Sequence, residues 1–362
     1  MLKLIHAADL HLDSPFAGLA PEQAARRREE QRALPEKLAD LAREEGAELV
    51  LLSGDVLDGD RVYRETAQTL AAALGRIPCP VFLAPGNHDP YTARSLYAQP
   101  IWPENVHIFT SPTPERVDLP GTDCAVWGAA FTREKPDRSP LAGFRAPEDG
   151  KTHIMTLHAN VGGTDYGPIT AEDIARSGLA YLALGHVHQA SGLQRAGGTY
   201  WAYPGCPEGR GFDETGEKGA LAVTVDENGV TAEFRPLCLR RYEVAEVDLT
   251  DRPDALAAAE AALPARTERD VYRLILKGQY AMGPGEAEAV RRALEGRFYA
   301  LEVRDNTRMP RDLWARAGED SLTGLFLRAM QARLEGREED AAAQLAARYG
   351  LAALEHGEDV SP

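Results

Sequence analysis

Short apolar runs alternate with longer helical patterns over the first 190 residues of the chain. Such runs, bounded by polar residues, glycine or proline, are typical of buried strands. Between the first two runs Leu34, Leu38 and Leu41 repeat at helical spacing, and Pro35 predicts a break, a kink or a new helix near it. Strands that alternate with helices predict a layered α/β domain. The predicted strands are residues 2–8, 48–53, 81–84, 153–157 and 181–184.

The pattern changes further along the chain. Residues 199–236 show short strands separated by Gly and Pro, which predicts a second sheet that completes the first domain. A β-α-β-α-β pattern begins near residue 241, and helical spacing returns after residue 309. We therefore predict a first domain at residues 1–240, a small α/β domain at residues 241–309 and a helical C-terminal segment at residues 310–362.

The composition narrows the class of protein. Of the 362 residues, 44% are hydrophobic, which excludes a wholly disordered chain. Because 56 acidic residues face 40 basic ones, the net charge of −16 argues against a protein that coats nucleic acid by bulk charge. Four scattered cysteines without a Cys-x-x-Cys pair disfavour a zinc ribbon or a disulfide framework. With no signal-like start and no run of ~20 apolar residues, we expect a cytoplasmic protein without a membrane span.

Polar segments with metal-binding side chains follow the predicted strands, and they contain five of the nine histidines. Imidazole and carboxylate together suit manganese, iron or zinc. Spacing of i, i+2 at the end of an extended strand puts two side chains on one side, and the carboxyl ends of strands are where open α/β sheets bind ligands. The segments are Asp9-Leu10-His11, Gly54-Asp55-Val56, Gly86-Asn87-His88-Asp89, Leu157-His158-Ala159 and Gly185-His186-Val187-His188.

Each segment taken alone has an ordinary structural explanation. Asp-x-His suits a surface or capping role, Gly-Asp a turn, Gly-Asn-His-Asp an Asx-turn loop, and a lone His158 a hydrogen-bonded core histidine. The ordered set of five segments instead predicts a metal centre. Seven ligands suffice for two ions if one carboxylate is shared, and Asp55 is the natural bridge.

The order of these segments resembles that of the calcineurin-like metallophosphoesterases over residues 1–190. The run HLDSPF, from His11 to Phe16, and the run Tyr203-Pro204-Gly205-Cys206-Pro207 are similar to SbcD-type DNA repair exonucleases, and above all to their YhaO-type branch. These are bacterial relatives of the meiotic recombination eleven nuclease. The resemblance implies an α/β, layered metallophosphoesterase fold, a β-sandwich flanked by helices, with a small α/β capping domain and a helical C-terminal tail.

The family pattern also implies roles for individual residues. Two divalent ions are expected, with manganese first and iron, zinc or magnesium as alternatives, and no organic cofactor. His88 is expected to be catalytic and to face the scissile phosphate, with Asp89 holding its ring. One ion is expected to bind Asp9, His11, Asp55 and His188, and the other Asp55, Asn87, His158 and His186.

One position departs from the family pattern. Many nucleases of the family carry a second active-site histidine three residues after the bridging aspartate, and this chain has Asp58 there. An ionised carboxylate repels phosphate, so we expect weaker exonuclease activity or a changed substrate preference rather than inactivation.

The resemblance implies a two-metal phosphodiesterase that acts on DNA in repair, as an exonuclease and also as a single-strand endonuclease. A hydroxide held between the ions would attack in line, and protonated His88 would stabilise the transition state and protonate the leaving 3′ oxygen. Surface charge and core packing are the ordinary explanations for the candidate DNA contacts. These are the basic residues Arg61, Arg133, Lys135, Arg138, Arg210 and Lys218 and the aromatic residues Tyr91, Tyr166 and Trp201.

The family further implies an ATPase partner related to SbcC or YhaN and a homodimer. The amphipathic stretch Leu322–Leu334 would dock on the partner or pack on its own domain.

Two alternative functions stay open. The first is a small-molecule phosphoesterase that acts on a phosphomonoester or a cyclic nucleotide. It is disfavoured because the segment from Gly54 to Gly59 lacks the arginine that protein phosphatases carry there. The second is a DNA-end scaffold that regulates an ATPase, and it is disfavoured because all expected ligands are present.

Overall fold

The computed structural model describes residues 1–59, 62–136, 138–309, 313–335 and 340–356. The chain divides into two compact units. The predicted boundaries at residues 240 and 309 stay predictions. The larger unit comprises Met1–Val244, Ala265–Arg273 and Gly296–Leu301, and the smaller comprises Ala245–Pro264, Leu274–Glu295 and the described part of Glu302–Pro362.

The described ranges contain strands, α-helices and two single-turn 3-10 helices, Leu96–Ala98 and Glu295–Arg297. The strands are β1 Leu2–Ala7, β2 Leu49–Leu52, β3 Val81–Leu83, β4 Val106–Ile108, β5 Glu115–Asp118, β6 Cys124–Gly128, β7 Thr152–His158, β8 Asn160–Val161, β9 Pro168–Ile169, β10 Tyr181–Gly185, β11 Gln194–Ala196, β12 Thr199–Ala202, β13 Gly219–Asp226, β14 Gly229–Pro236, β15 Tyr242–Asp248, β16 Val271–Gln279 and β17 Ala300–Arg308. The helices are α1 Pro21–Arg32, α2 Leu34–Glu44, α3 Arg64–Gly75, α4 Ala171–Arg176, α5 Ala255–Ala262, α6 Glu286–Leu294, α7 Leu322–Leu334 and α8 Ala341–His356.

Two six-stranded sheets form the larger unit, with strand orders β14-β13-β1-β2-β3-β4 and β11-β12-β10-β7-β6-β5. Strands β1 to β4 are parallel, as are β6, β7, β10 and β12. In the first sheet Ile5 lies opposite Val50, and in the second Leu182 lies opposite Met155. In each sheet, therefore, several carboxyl ends lie along one edge.

The apolar residues sort into three layers. Leu51, Phe82 and Ile154 belong to a buried cluster between the two sheets. The opposite face of the first sheet packs on α2 and α3 through residues such as Leu38, and the second sheet buries its outer face against α4 through Ile174. Each such side chain contributes roughly 1.5–3 kcal/mol on burial. The predicted α/β fold, a β-sandwich flanked by helices, is confirmed.

The five strands predicted from apolar runs are all present, with ends that differ by at most one residue. Helix α1 ends at Arg32 and α2 begins at Leu34, so the helix break expected near Pro35 is confirmed. The prediction that residues 199–236 form one second sheet is wrong. Strand β12 joins the second sheet, whereas β13 pairs antiparallel with the edge of β1 and brings β14 into the first sheet.

The smaller unit contains helices α5 to α8. The predicted β-α-β-α-β order is present, and β15, β16 and β17 form a three-stranded sheet. Asp254 caps α5 by accepting from Ala257 N at 2.7 Å, and Ser321 caps α7 by accepting from Gly324 N at 3.1 Å. Gly350 of α8 lies against the Phe326 ring of α7, where a larger residue would clash. Among the described residues no helix is long and apolar enough to cross a membrane.

Candidate metal centre

The predicted site residues meet at the carboxyl ends of the strands. Asp9, Asp55 and Asn87 follow β1, β2 and β3, while His158 ends β7 and His186 follows β10. Because these parallel strands end along one edge of each sheet, residues from both sheets of the sandwich face one another there. The geometry therefore brings together all seven residues predicted to bind metal.

The backbone at this edge is strained. Asp9, His11, Asp55 and His186 have φ angles of 54°, 45°, 49° and 107°, in the left-handed region that non-glycine residues seldom adopt. Hydrogen bonds from Asp9 N to Gly54 O at 3.0 Å and from His11 N to Asp55 O at 2.9 Å hold two of these turns. Strain of this kind costs about 1–3 kcal/mol per residue and clusters at functional sites.

Two glycines allow the close packing of the site. A Cβ atom at Gly54 would lie 2.5 Å from His158 Nδ1, and one at Gly86 would clash with the Asp55 carboxylate. Gly54 also has a φ of +87°, which a side chain would strain. These two positions therefore require glycine for steric reasons.

The first group of candidate ligand side chains consists of Asp9, His11 and His188. The two imidazoles approach with their Nε2 atoms 3.2 Å apart, and His188 Nε2 lies 3.7 Å from Asp9 Oδ1. Asp9 and His11 are fully buried, and His188 is partly exposed. The ligand atoms lie close enough together to hold one cation.

The second group consists of Asn87, His158 and His186. Asn87 Oδ1 lies 2.8 Å from His158 Nε2 and 3.3 Å from His186 Nδ1, so one amide oxygen faces two imidazoles. His158 is fully buried at the end of β7, and its Nδ1 lies 3.0 Å from Ser53 O. A backbone carbonyl can only accept, so this contact places the proton on Nδ1 and leaves the lone pair of Nε2 facing the site.

Asp55 lies between the two groups. Its Oδ2 is 3.7 Å from His11 Nε2 and 3.4 Å from His158 Nε2, while its Oδ1 accepts from His88 N at 2.9 Å. One oxygen is thus held by the backbone and the other faces an imidazole of each group. A shared ligand for two cations needs this arrangement.

The electrostatics of the site favour bound cations. Burial, together with the Asp55 charge, raises the pKa of Asp9 well above its usual range, and burial near Asp89 raises the pKa of Asp55 to about 7. Burial lowers the pKa of His158 and of His186 to about 4, so both imidazoles are neutral at pH 7. Buried carboxylates that resist ionisation beside neutral imidazoles fit divalent cations, whose charge would offset both penalties. The residues are therefore positioned for a dimetal site.

His88 lies beside this site with its side chain 45% exposed. Its ring centroid is 4.8 Å from that of His11, and its Nδ1 is 3.8 Å from Asp58 Oδ1. The prediction that Asp89 holds the His88 ring is wrong, because both Asp89 oxygens are used elsewhere. They accept from the backbone N–H groups of Asp55, Leu57 and Gly86 and from the Tyr97 hydroxyl.

Two contacts at the site were missed by sequence reasoning. Glu214 Oε1 lies 2.6 Å from His188 Nδ1, and Asp58 Oδ1 lies 2.9 Å from His11 Nδ1. The sequence marked Asp58 only as a departure from the family pattern, and it gave Glu214 no role at the site. Their acidic character near the motifs was the available signal.

The structure also revises the candidate DNA contacts. Arg210 is engaged by Asp58 and Glu214, and Lys218 is buried, donating to His188 O at 3.1 Å. Neither side chain therefore presents a free cation to a phosphate. Lys135 Nζ lies 5.6 Å from the Tyr166 ring centroid, and that ring lies 5.0 Å from the His186 ring.

The other candidate contacts vary in exposure. Trp201 and Tyr91 are both partly buried. Trp201 packs on Tyr203 against the cluster on the outer face of the second sheet, and Tyr91 packs against the cluster between the first sheet and its helices, so packing explains both. Arg133 and Arg138 are exposed. Arg61 lies outside the described residues.

Comparison with known proteins identifies the superfamily. The calcineurin-like phosphoesterase family matches residues 2–190, more than half of the chain. The chain belongs to this family. The metallophosphoesterase is thus a member of a hydrolase family. Its residues are positioned for a dimetal site.

Individual relatives of the metallophosphoesterase are more distant. It is 34% identical to the uncharacterized metallophosphoesterase YhaO of Bacillus subtilis over 269 residues, which are 71% of this chain and 65% of YhaO. It is 24% identical to the SbcD component of the nuclease SbcCD of B. subtilis over 66% of this chain and 70% of that protein. Identity to the DNA double-strand break repair protein Mre11 of Methanopyrus kandleri is also 24%, over 77% of this chain and 63% of Mre11. The chain thus spans less than two thirds of YhaO and of Mre11.

Among solved structures, the crystal structure of a dimetal phosphatase from Danio rerio is similar. Its TM-score is 0.44 at 12% identity, and the match covers 65% of this chain and 96% of the phosphatase chain.

Proposed function

We propose that this metallophosphoesterase hydrolyses phosphodiester bonds of DNA in DNA repair, as an exonuclease and on single strands as an endonuclease. The observation that carries the proposal is the position of Asp55 Oδ2 between an imidazole of each group, with His88 half exposed beside it. A dimetal site needs such a shared ligand, and an exposed histidine is accessible to a large substrate. Two relatives whose names denote a nuclease and a DNA break repair protein support DNA as the substrate.

Each predicted residue has a distinct role in this proposal. Asp9, His11 and His188 hold one cation, Asn87, His158 and His186 hold the other, and Asp55 is common to both. When bound, two divalent cations lower the pKa of a water molecule and neutralise charge on phosphate oxygens. We expect manganese, with iron, zinc or magnesium as alternatives.

His88 supplies the proton chemistry in the proposal. Its backbone N–H is tied to Asp55 Oδ1 at 2.9 Å, so its position is fixed relative to the shared ligand, while the ring stays accessible. A protonated imidazole there can stabilise the charge that develops on the phosphate and protonate the leaving 3′ oxygen. Positioned acid–base groups of this kind contribute roughly 10²–10⁴-fold in rate.

The experiment is a substrate panel run with several divalent metals. Nucleotide release from single- and double-stranded DNA is compared with hydrolysis of phosphomonoesters and cyclic nucleotides. We expect DNA to be degraded with manganese, and His88→Ala to reduce the rate roughly 10²–10⁴-fold at unchanged metal content. His107→Ala removes another exposed histidine and is the matched control. Intact DNA under conditions where small esters are hydrolysed would overturn the proposal.

We further propose an SbcC- or YhaN-like ATPase partner, a homodimer and a cytoplasmic location. The partner proposal is supported by α7, which leaves Leu322 and Leu325 largely exposed. An apolar face of this kind suits a coiled coil. Leu325→Glu should then weaken co-elution with the ATPase without changing hydrolysis of short DNA.

A further inference from the structure

We propose that Asp58, Arg210 and Glu214 form one positioning clamp, which fixes both imidazoles of the first group and gives that cation position higher affinity than the second. The inference rests on the ligand assignment of the proposed function. It concerns residues that touch neither substrate nor cation. It assigns a role to Asp58, the residue that stands where related nucleases carry histidine.

The geometry of the clamp is continuous. Asp58 Oδ1 lies 2.9 Å from His11 Nδ1, and Glu214 Oε1 lies 2.6 Å from His188 Nδ1. The Arg210 guanidinium joins the two carboxylates, donating from Nη1 to Asp58 at 3.1 Å and from Nη2 to Glu214 at 2.7 Å. Arg210 N and Nε also donate to Glu214, at 2.7 Å and 3.2 Å. One fork-shaped cation therefore links the partners of both histidines.

These contacts set the proton positions on the two rings. His188 Nδ1 faces both Glu214 Oε1 at 2.6 Å and Arg210 Nη2 at 3.1 Å, and the closer, charged carboxylate holds the proton on Nδ1. Asp58 does the same for His11, so the Nε2 lone pairs of both rings face the space between them. The Nε2 atoms lie 3.2 Å apart, a separation that two lone pairs tolerate when a cation lies between them. The clamp thus prepares the two nitrogen ligands before a cation arrives.

The clamp also disfavours a third cation position at the site. Asp58, His11 and His88 offer ligand atoms close together, which alone would suggest a third position. Asp58 Oδ1, however, already accepts from Arg210, whose permanent charge supplies the positive partner. An additional cation would be repelled by that guanidinium.

Among the described residues, no carboxylate is hydrogen-bonded to either imidazole of the second group. His158 Nδ1 is held by the carbonyl of Ser53, a neutral group, and His186 lies against the Tyr166 ring. A carboxylate raises the basicity of the imidazole it accepts from, whereas a carbonyl does so less. With two carboxylates and one guanidinium, the clamp adds a net negative charge beside the first position. Higher cation affinity follows there.

The test measures Mn²⁺ binding to the full-length protein after chelator treatment, by calorimetry and electron paramagnetic resonance. Glu214→Gln and Asp58→Asn keep the shape of each side chain and remove its charge. Each substitution is made in two backgrounds. The His158→Ala background leaves mainly the first cation position able to bind Mn²⁺, and the His11→Ala background leaves mainly the second. Asp213→Asn removes an exposed carboxylate next to Glu214 and is the matched control.

In the His158→Ala background we expect each clamp substitution to weaken Mn²⁺ binding roughly 10–100-fold. In the His11→Ala background Glu214→Gln should have no effect beyond about threefold, and Asp213→Asn should have none in either. Because Arg210 joins the two carboxylates, the double variant should lose less than the product of the single losses. The melting temperature of each metal-free variant is also measured by calorimetry. An unchanged melting temperature shows that a loss of Mn²⁺ affinity is not a loss of folded protein.

Equal losses at both positions, or no loss in the His158→Ala background, would overturn the clamp. So would a matching loss in Asp213→Asn. These results are independent of the substrate panel. Hydrolysed DNA with equal Mn²⁺ affinities removes the clamp and keeps the proposed function, whereas intact DNA with the expected asymmetry removes the function and keeps the clamp.

Discussion

The two groups of predicted ligands at the candidate metal centre have different neighbours. In the first group, the carboxyl groups of Asp58 and Glu214 contact the Nδ1 atoms of His11 and His188. In the second, the carbonyl of Ser53 at the end of β2 orients His158, which is itself the last residue of β7. The first group therefore depends on side chains that single substitutions remove, whereas the second depends on the packing of the two sheets. Substitutions around the first group should therefore change metal affinity, whereas substitutions around the second should also change the stability of the fold.

The largest expected effect removes the residue common to both groups. Asp55→Asn should reduce bound Mn²⁺ from about two ions to near zero and abolish hydrolysis, because a neutral amide is a much weaker bridging ligand. Elemental analysis after dialysis against Mn²⁺ measures the stoichiometry. Retention of two ions would show that the groups do not share Asp55.

Removal of metal should affect both groups at once. The buried carboxylates of Asp9 and Asp55 repel each other, and a bound cation relieves this repulsion, so chelation should lower the melting temperature. At a free Mn²⁺ concentration of 100 times Kd, one site adds about 2.7 kcal/mol. Scanning calorimetry with and without EDTA checks this, with the Asp55→Asn protein, which should not respond, as control.

A smaller effect should be confined to the second group. Ser53 Oγ lies 3.1 Å from His6 Nε2 and 2.9 Å from Thr156 Oγ1, so this buried hydroxyl fixes the residue whose carbonyl holds His158. Ser53→Ala should cost about 1–3 kcal/mol of unfolding free energy. It should also weaken Mn²⁺ binding in a His11→Ala background more than in a His158→Ala background. The reverse order would contradict the division of the site into two groups.

The smallest expected effect comes from the hydrogen bond between Tyr181 and His6, the next contact of Ser53 in the core. The Tyr181 hydroxyl lies 2.8 Å from His6 Nδ1, and both side chains are fully buried between the sheets. Tyr181→Phe removes this buried hydrogen bond and should cost about 1 kcal/mol, with Mn²⁺ stoichiometry unchanged. Urea unfolding measures the first quantity and elemental analysis the second. Loss of a Mn²⁺ ion in Tyr181→Phe would contradict this prediction, because it would show that the hydrogen bonds of Tyr181, His6 and Ser53 are needed for metal binding.

The sequence predicted the part of the site that is local. Asp9-x-His11, Asn87 and His186-x-His188 each follow a buried strand directly, so periodicity and spacing were enough to propose them together. The contact between Asp58 and Arg210 spans 152 residues, and no local pattern reports such a pair. Lys218 was misjudged for the same reason, because its burial depends on carbonyl and amide groups near His188.

The fold was predictable to a similar extent. Apolar runs gave the central parallel strands, because strands covered on both faces are apolar throughout. The alternating pattern of β13 is compatible with either sheet edge, so its pairing with β1 could not be read from periodicity. Helix α3 was not predicted as a separate element, although its buried residues Leu70 and Leu74 support the first sheet.

The hydrogen bonds from His186 N to the Asp9 carboxylate join residues 177 positions apart, and β1 acquires its antiparallel neighbour only from β13. A nascent chain therefore lacks the complete ligand set until residue 188 has been synthesised, and one side of β1 stays unpaired until β13 ends at residue 226. Contacts of such long range form slowly and late in folding. Cation capture then follows assembly of the two sheets, and metal supply during synthesis should change the yield of loaded protein rather than the rate at which the chain folds.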